Sequence, residues 1–203
     1  YVIYQQPQSQ FIIAGDPFQI QPMVIAEPWQ EENIYTLVGL NDFQAPQTVP
    51  HQFQITHLTT QYRSIPPLGQ LFSQFSYAGI LTHQRLLTEK RVLKIRGLGL
   101  KAFTVITFPV SKFDSIYKLQ RLEGGSVYQI YSAILTVELT RYLVENILLG
   151  RDSVSWKIGI ICPYLAQASL VEKMLSARSP SPDHAQVHIM TGTIHSFQGD
   201  ECD

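Results

Sequence analysis

Five short apolar runs, each stopped by a turn-forming residue and separated by helix-patterned segments, constrain the fold of this chain more than any other feature. Phe11-Ile12-Ile13-Ala14 ends at Gly15-Asp16-Pro17, and Ile158-Gly159-Ile160-Ile161-Cys162 ends at Pro163, so both read as buried strands closed by a turn. Ile55 to Thr60 alternates weakly, Phe103 to Phe108 alternates well, and Val187 to Ile189 leads into a glycine-bearing turn. Between them, helices are expected over Ile34 to Leu40, Leu68 to Tyr77, Val127 to Leu149 and Leu165 to Ser176. In the third, Leu135, Leu139, Tyr142, Leu143 and Ile147 make the expected buried stripe, while Glu138, Arg141 and Glu145 sit at three- and four-residue spacing for surface pairing. Strands alternating with helices predict an α/β fold with a mainly parallel sheet covered on both faces. Ligands of such sheets gather at the carboxyl ends of the strands.

The chain can support that architecture. Its 203 residues are 45% hydrophobic and only 15% charged, the composition of a packed domain and not of a disordered tail. A formal net charge of -1 gives no bulk attraction to nucleic acid, so any strand it grips is held locally. Cys162 and Cys202 are too few and too far apart for a disulfide framework or a zinc cluster. Buried or idle thiols in a reducing compartment, the cytoplasm in the simplest case, are the expectation. No basic segment precedes an apolar stretch, and Ile130 to Leu149 is interrupted by charges, so no membrane partner is expected. Tyr1 in place of an initiator Met, with a strand-like segment starting almost at once, reads as a cut from a longer polypeptide. The Pro-, Gln- and Asn-rich stretch from Glu27 to Gln54 reads as a connection, dividing the chain into 1–51 and 52–203. Lys112 to Ser126 reads as irregular.

Four constellations carry candidate chemistry. Gly15-Asp16-Pro17-Phe18-Gln19-Ile20-Gln21-Pro22 can present Gln19 beyond a strand end, although Gly-Asp-Pro is also ordinary turn chemistry. In Gln61-Tyr62-Arg63-Ser64-Ile65-Pro66, an arginine between a strand and a helix can offer a fork of donors to a phosphate, where a surface ion pair is the plainer use. Ile158 to Gln167 is a strand ending in Pro163-Tyr164, whose ring can stack on a base or cap the core. Thr193-Ile194-His195-Ser196-Phe197-Gln198-Gly199-Asp200-Glu201-Cys202-Asp203 packs hydroxyls, a histidine, a glycine and carboxylates into one turn. For His195, a ring bonded to its own turn satisfies the same spacing. His184 and His188 are four apart, but Pro182 and the strand pattern argue against one helix face, and no metal site is assigned.

In this order the four segments resemble the Upf-type and Dna2-type branch of superfamily 1 DNA and RNA helicases. The resemblance runs from about Phe11 to Asp203: Gly-Asp-x-x-Gln-Ile-x-Pro is similar to that family's motif III, Gln-Tyr-Arg followed by Pro to motif IV, and Thr-Ile-His-x-Phe-Gln-Gly-x-Glu-x-Asp to motif V. It implies a RecA-like, P-loop NTPase-type fold: 1–51 as the end of the first motor domain and linker, 52–203 as the second domain. It also implies that Gln19 senses the γ-phosphate, that Arg63 is an arginine finger, that Glu201 binds the nucleotide ribose and that Gly199 lies near the nucleotide. Thr193 and His195 would contact strand phosphates, and Tyr164 would lie near the nucleic-acid path. The implied partners are ATP with Mg²⁺, single-stranded DNA or RNA, and the preceding motor domain of the same polypeptide. Two departures stand out: Ser64-Ile65-Pro66 replaces Met-His-Pro, and Leu165 stands where an arginine is common.

The sequence contains no Gly-x-x-x-x-Gly-Lys-(Ser/Thr) loop, and no Asp-Glu pair precedes Phe11. These 203 residues alone are therefore expected to hold no nucleotide and to be inactive, with helicase activity belonging to the intact protein. The alternative is a non-catalytic helicase-like module that binds protein or nucleic acid.

Overall fold

The computed structural model describes residues 12, 14–19, 34–37, 56–86, 100, 101, 103–107, 110–112, 114, 115, 118–149, 155–178, 186–200 and 202. The chain divides into two compact units, Tyr1–Leu87 and Thr88–Asp203.

In the first unit, after a short helix α1 (Ile34–Leu37), strand β1 (Thr60–Gln61) pairs in parallel with β2 (Thr82–His83), Gln61 opposite His83. Helix α2 (Pro66–Ser76) is the crossover between them, so this is a small βαβ unit. Ile65 is extended (φ -60°, ψ 152°) because the following proline excludes the helical region, and Pro66 starts α2, where no amide partner is lost. The helix stops where Ala78 and Gly79 take φ of 51° and 77° and the Tyr77 and Gly79 amides both donate to the Ser73 carbonyl, at 2.9 Å each.

In the second unit, the segment expected to be irregular contains a hairpin. β3 (Gln120–Arg121) pairs antiparallel with β4 (Val127–Tyr128) across a turn in which Gly125 has φ 83°. The expected helix from Val127 therefore begins only at Ile130: α3 spans Ile130–Leu149. Strand β5 (Trp156–Cys162), helix α4 (Leu165–Arg178) and strand β6 (Val187–Thr193) form a second βαβ unit, its strands parallel from Trp156 opposite Val187 to Cys162 opposite Thr193. Among the described residues, two of the three strand pairs are thus parallel with a helical crossover, an α/β fold of the RecA-like kind.

The core of this unit joins Ala133 and Val137 of α3, Ile160 and Cys162 of β5, and Ala168 and Val171 of α4. Among the described side chains of α3, Ala133, Val137, Thr140 and Ile147 are buried. Of the expected stripe only Ile147 is among them; Leu135, Leu139, Tyr142 and Leu143 are half-buried. The helix is apolar nearly all round, so packing chose the face, and the small side chains at 133 and 137 let α4 and β5 approach closely. The polar face is as expected: Arg141 pairs with Glu138 at 3.5 Å and Glu145 at 4.0 Å, and Arg178 at the end of α4 also binds Glu138. Burial pushes the Cys162 thiol up, and no disulfide joins it to Cys202.

Three strand expectations are corrected. Ile12 and Ala14 are not in a strand, and Ile12 is 96% exposed; Phe11 and Ile13 lie outside the described residues. Residues 56–58 and 103–107 are also exposed and lie outside any strand; of the run from Ile55 to Thr60 only its end enters β1, with the Thr59 carbonyl accepting the Thr82 amide at 2.8 Å, while Ile55 and Phe108 lie outside the described residues. An apolar or alternating pattern permits a strand, but a strand forms only where a neighbour accepts its ladder of hydrogen bonds. On β5, Ile160 and Cys162 are buried on one face, while Ile161 on the other is 58% exposed. Residues 38–40 of the first expected helix also lie outside the described residues. Among the described residues, no helix is long and apolar enough to cross a membrane.

Candidate functional site

Residues 15–19 form a compact turn. The Gln19 amide donates to the Asp16 carbonyl at 3.3 Å, and the Phe18 amide donates to Asp16 Oδ1 at 3.0 Å, with Pro17 fixing φ at the second position. Gln19 is exposed, and its Nε2 donates to Asp16 Oδ2 at 3.4 Å. The same oxygen accepts a 2.5 Å bond from the Tyr77 hydroxyl, and the Phe18 ring meets the Tyr77 ring edge-on at 5.6 Å. The turn is thereby tied to the end of α2. Partial burial and the Asp16 carboxylate push the Tyr77 phenol up to about 12.

Arg63 leaves the carboxyl end of β1 on an exposed turn. Gln61 braces that turn: its Oε1 accepts from the Ser64 amide at 2.8 Å, while Nε2 donates to the Ser64 carbonyl at 2.7 Å and lies 2.8 Å from His83 Nδ1. The Arg85 guanidinium donates to the carbonyl of Arg63. Ile65, where the resembled motif has histidine, is buried as the cap of α2.

In the second unit, the register that sets Cys162 opposite Thr193 brings the exits of β5 and β6 side by side at one sheet edge. Tyr164 and the turn beginning at Thr193 leave from there. Tyr164 is half exposed and starts α4 by accepting the Ala168 amide at 3.1 Å. Leu165 beside it is 69% exposed. Gln167 is buried: it accepts from the Gln129 amide at 2.7 Å and donates to Ser132 Oγ at 3.1 Å, joining the starts of α3 and α4. The glutamine that follows Pro-Tyr is therefore a packing bracket.

Thr193 ends β6, and Ser196 Oγ donates to its carbonyl at 2.7 Å within the 3₁₀ turn Ile194–Phe197. His195 is exposed on this turn, and its ring makes no hydrogen bond among the described residues, so the own-turn pairing weighed for it is not formed there. Gln198 (φ -62°, ψ 119°) followed by Gly199 (φ 86°), with the Asp200 amide donating to the Phe197 carbonyl at 3.0 Å, has the form of a type II turn, which favours glycine at its third position. Nothing lies within 4 Å of where a Gly199 side chain would project. The Lys157 ammonium binds the Asp200 carboxylate, which holds it above the usual lysine range. Glu201 and His184 lie outside the described residues, and His188 is an exposed residue of β6.

The turn folds back over the sheet face opposite α3 and α4. Gly159 and Gly192 make this possible: a side-chain carbon at 159 would stand 2.9 Å from the Phe197 ring, and one at 192 would meet Ser196 and stand 3.3 Å from the same ring. Glycine inside a strand signals such close approach, so this seat was readable once its occupant was known. The Gln61–His83 and Asp16–Tyr77 contacts had no comparable local signal, because each joins residues far apart in sequence.

A family model described as an AAA domain matches residues 42–203. The chain belongs to this AAA-domain family. It is 25% identical over 201 residues to the protein described as probable helicase senataxin in Mus musculus, and equally to that of Homo sapiens. Each alignment covers 96% of this chain and 7% of the relative, so the chain spans only 7% of the length of these curated relatives. The AAA-domain match and the likeness to these helicases agree with the superfamily 1 helicase branch that the sequence resembles.

Proposed function

We propose that residues 1–51 are the end of a first RecA-like domain and residues 52–203 most of a second, in an ATP-dependent superfamily 1 helicase or translocase. One observation carries the reading: Arg63, Tyr164 and the Thr193–Gly199 turn each leave the carboxyl end of a parallel strand, the edge where α/β sheets bind ligands. The family match beginning at residue 42, close to the proposed boundary, supports the division.

In this reading Gln19 senses the γ-phosphate and Arg63 is the arginine finger. Gly199 and Glu201 approach the nucleotide, and Tyr164, Thr193 and His195 meet single-stranded DNA or RNA. A planar guanidinium and a primary amide, both on exposed turns, are donors of the kind that phosphoryl oxygens accept, so Arg63 and Gln19 fit the outer side of a γ-phosphate. The phosphate-holding loop and the magnesium-holding carboxylates are absent from these 203 residues, and in this reading they belong to the preceding motor domain of the same polypeptide. ATP and Mg²⁺ supply the phosphoryl transfer that drives strand movement. Arg63 contributes by offering positive charge where negative charge develops.

The test uses the full-length protein. Arg63→Ala is expected to lower strand-stimulated ATP turnover by about 10³-fold or more while leaving nucleotide and strand affinity nearly unchanged. Arg63→Lys fails too, since an ammonium lacks the planar fork. Arg141→Ala, which breaks only surface pairs with Glu138 and Glu145, is the control with near-normal turnover. Turnover of Arg63→Ala within about threefold of the parent, far short of a finger's effect, refutes the assignment and favours a non-catalytic binding module.

A further inference from the structure

We propose that Gln61, His83 and Arg85 form a clamp that positions Arg63; the inference rests on the arginine-finger reading above. Gln61 closes β1, and the parallel register sets it directly opposite His83 on β2. The orientation of its amide is fixed by chemistry. The Ser64 backbone amide can only donate, so the atom 2.8 Å from it is the Gln61 oxygen. The Gln61 nitrogen then faces the Ser64 carbonyl at 2.7 Å and His83 Nδ1 at 2.8 Å, two acceptors for its two hydrogens. His83 must therefore present an unprotonated Nδ1 and carry its proton on Nε2. Phe72 of α2 meets the His83 ring edge-on at 6.4 Å, which holds the ring in that orientation.

This arrangement fastens both backbone groups of Ser64, the residue after Arg63. Arg85, two residues beyond His83, holds the carbonyl of Arg63 itself. The turn carrying the guanidinium is thus tied at consecutive peptide units, to Gln61 at the end of β1 and to Arg85 just beyond β2. Gly69 provides the space. It is buried in α2, and a side-chain carbon there would lie 2.8 Å from Gln61 Nε2 and 2.7 Å from His83 Cε1. Glycine in a helix interior costs about 1 kcal/mol relative to alanine, so its presence here needs a packing reason, and the clamp is that reason.

A finger acts only when its donors meet the reacting group, and a misplacement of about 1 Å can cost about 100-fold. Gln61 is accordingly a positioning residue. In strand-stimulated ATPase assays of the full-length protein, Gln61→Ala is expected to lower kcat by about 10- to 100-fold with KM for ATP and strand affinity unchanged. Gln61→Glu, which keeps shape and the acceptor for Ser64 but loses both donated hydrogens, should show the same split. Gly69→Ala, which alters no hydrogen-bonding group, should lower kcat as well despite alanine's better helix propensity. In an Arg63→Ala background, Gln61→Ala should add less than about twofold, because the residue it positions is gone.

If Arg63→Ala cripples turnover but Gln61→Ala and Gln61→Glu stay within about threefold of the parent, the clamp alone is overturned. If the Gln61 and Arg63 losses multiply, or strand affinity falls with kcat, Gln61 serves general folding and the clamp is again overturned. If Arg63→Ala itself keeps turnover, the finger reading fails and the clamp fails with it.

Discussion

Replacing Gly159 with alanine tests how the turn carrying Thr193 and His195 is seated. The added carbon would lie 2.7 Å from Cys202 Sγ and 2.9 Å from Phe197 Cε1. Carbon atoms prefer about 3.5–4.0 Å, so the ring would have to retreat by roughly 0.6–1 Å. Overpacking of this kind costs about 1–3 kcal/mol. Against it stands the entropy gained by removing a strand glycine, about 0.5–1 kcal/mol. The clash wins, and a net loss of about 1–2 kcal/mol is expected. Urea unfolding followed by Trp156 fluorescence, in a Trp29→Phe background so that β5 alone reports, measures the midpoint. Gly124→Ala is the neutral control: nothing lies within 4 Å of the site, so it should be unchanged or gain up to about 1 kcal/mol. Gly125→Ala should lose about 1–2 kcal/mol for a different reason, its φ of 83°. A Gly159→Ala midpoint equal to or above that of Gly124→Ala would refute the seating argument.

Two further outcomes are expected. Burial, with the bond to Asp16 and its negative charge, raises the Tyr77 phenol's pKa from 10.0 to about 12, so the neutral form is favoured by folding: its stabilisation is fully present below pH 10 and is lost as pH rises towards 12. The stability difference between the parent and Tyr77→Phe should shrink over that range, and a difference independent of pH would contradict it. The 203-residue chain alone should show no ATP turnover above background and only weak, salt-sensitive binding of single strands, because it lacks a phosphate-holding loop and its net charge is -1; steady hydrolysis, or micromolar affinity at physiological salt, would count against the proposal.

The α/β class, the crossover helices and the order of the candidate segments were legible in the sequence, because they rest on local rules. Pro66 after Ile65 starts α2 wherever the chain goes, Gly199 suits its turn by its own backbone, and the run before Pro163 is β5. Which apolar runs become strands was not local. Ile158 to Cys162 found a parallel neighbour in Val187–Thr193, whereas residues 103–107 alternate as well and lie exposed outside any sheet. The same holds for the α3 face: a helix apolar nearly all round contains several possible stripes, and only the close approach of Ala168, Val171 and Ile160 selected Ala133 and Val137. The sequence alone determined what each segment can do, since propensity, capping and turn chemistry act within a few residues. Tertiary structure decided what holds the candidate residues in place. The Gln61–His83 bond spans 22 residues, the Asp16–Tyr77 bond 61, and the seat of Phe197 needs two glycines on different strands. Such contacts depend on pairing register and packing volume, which no short window of residues encodes.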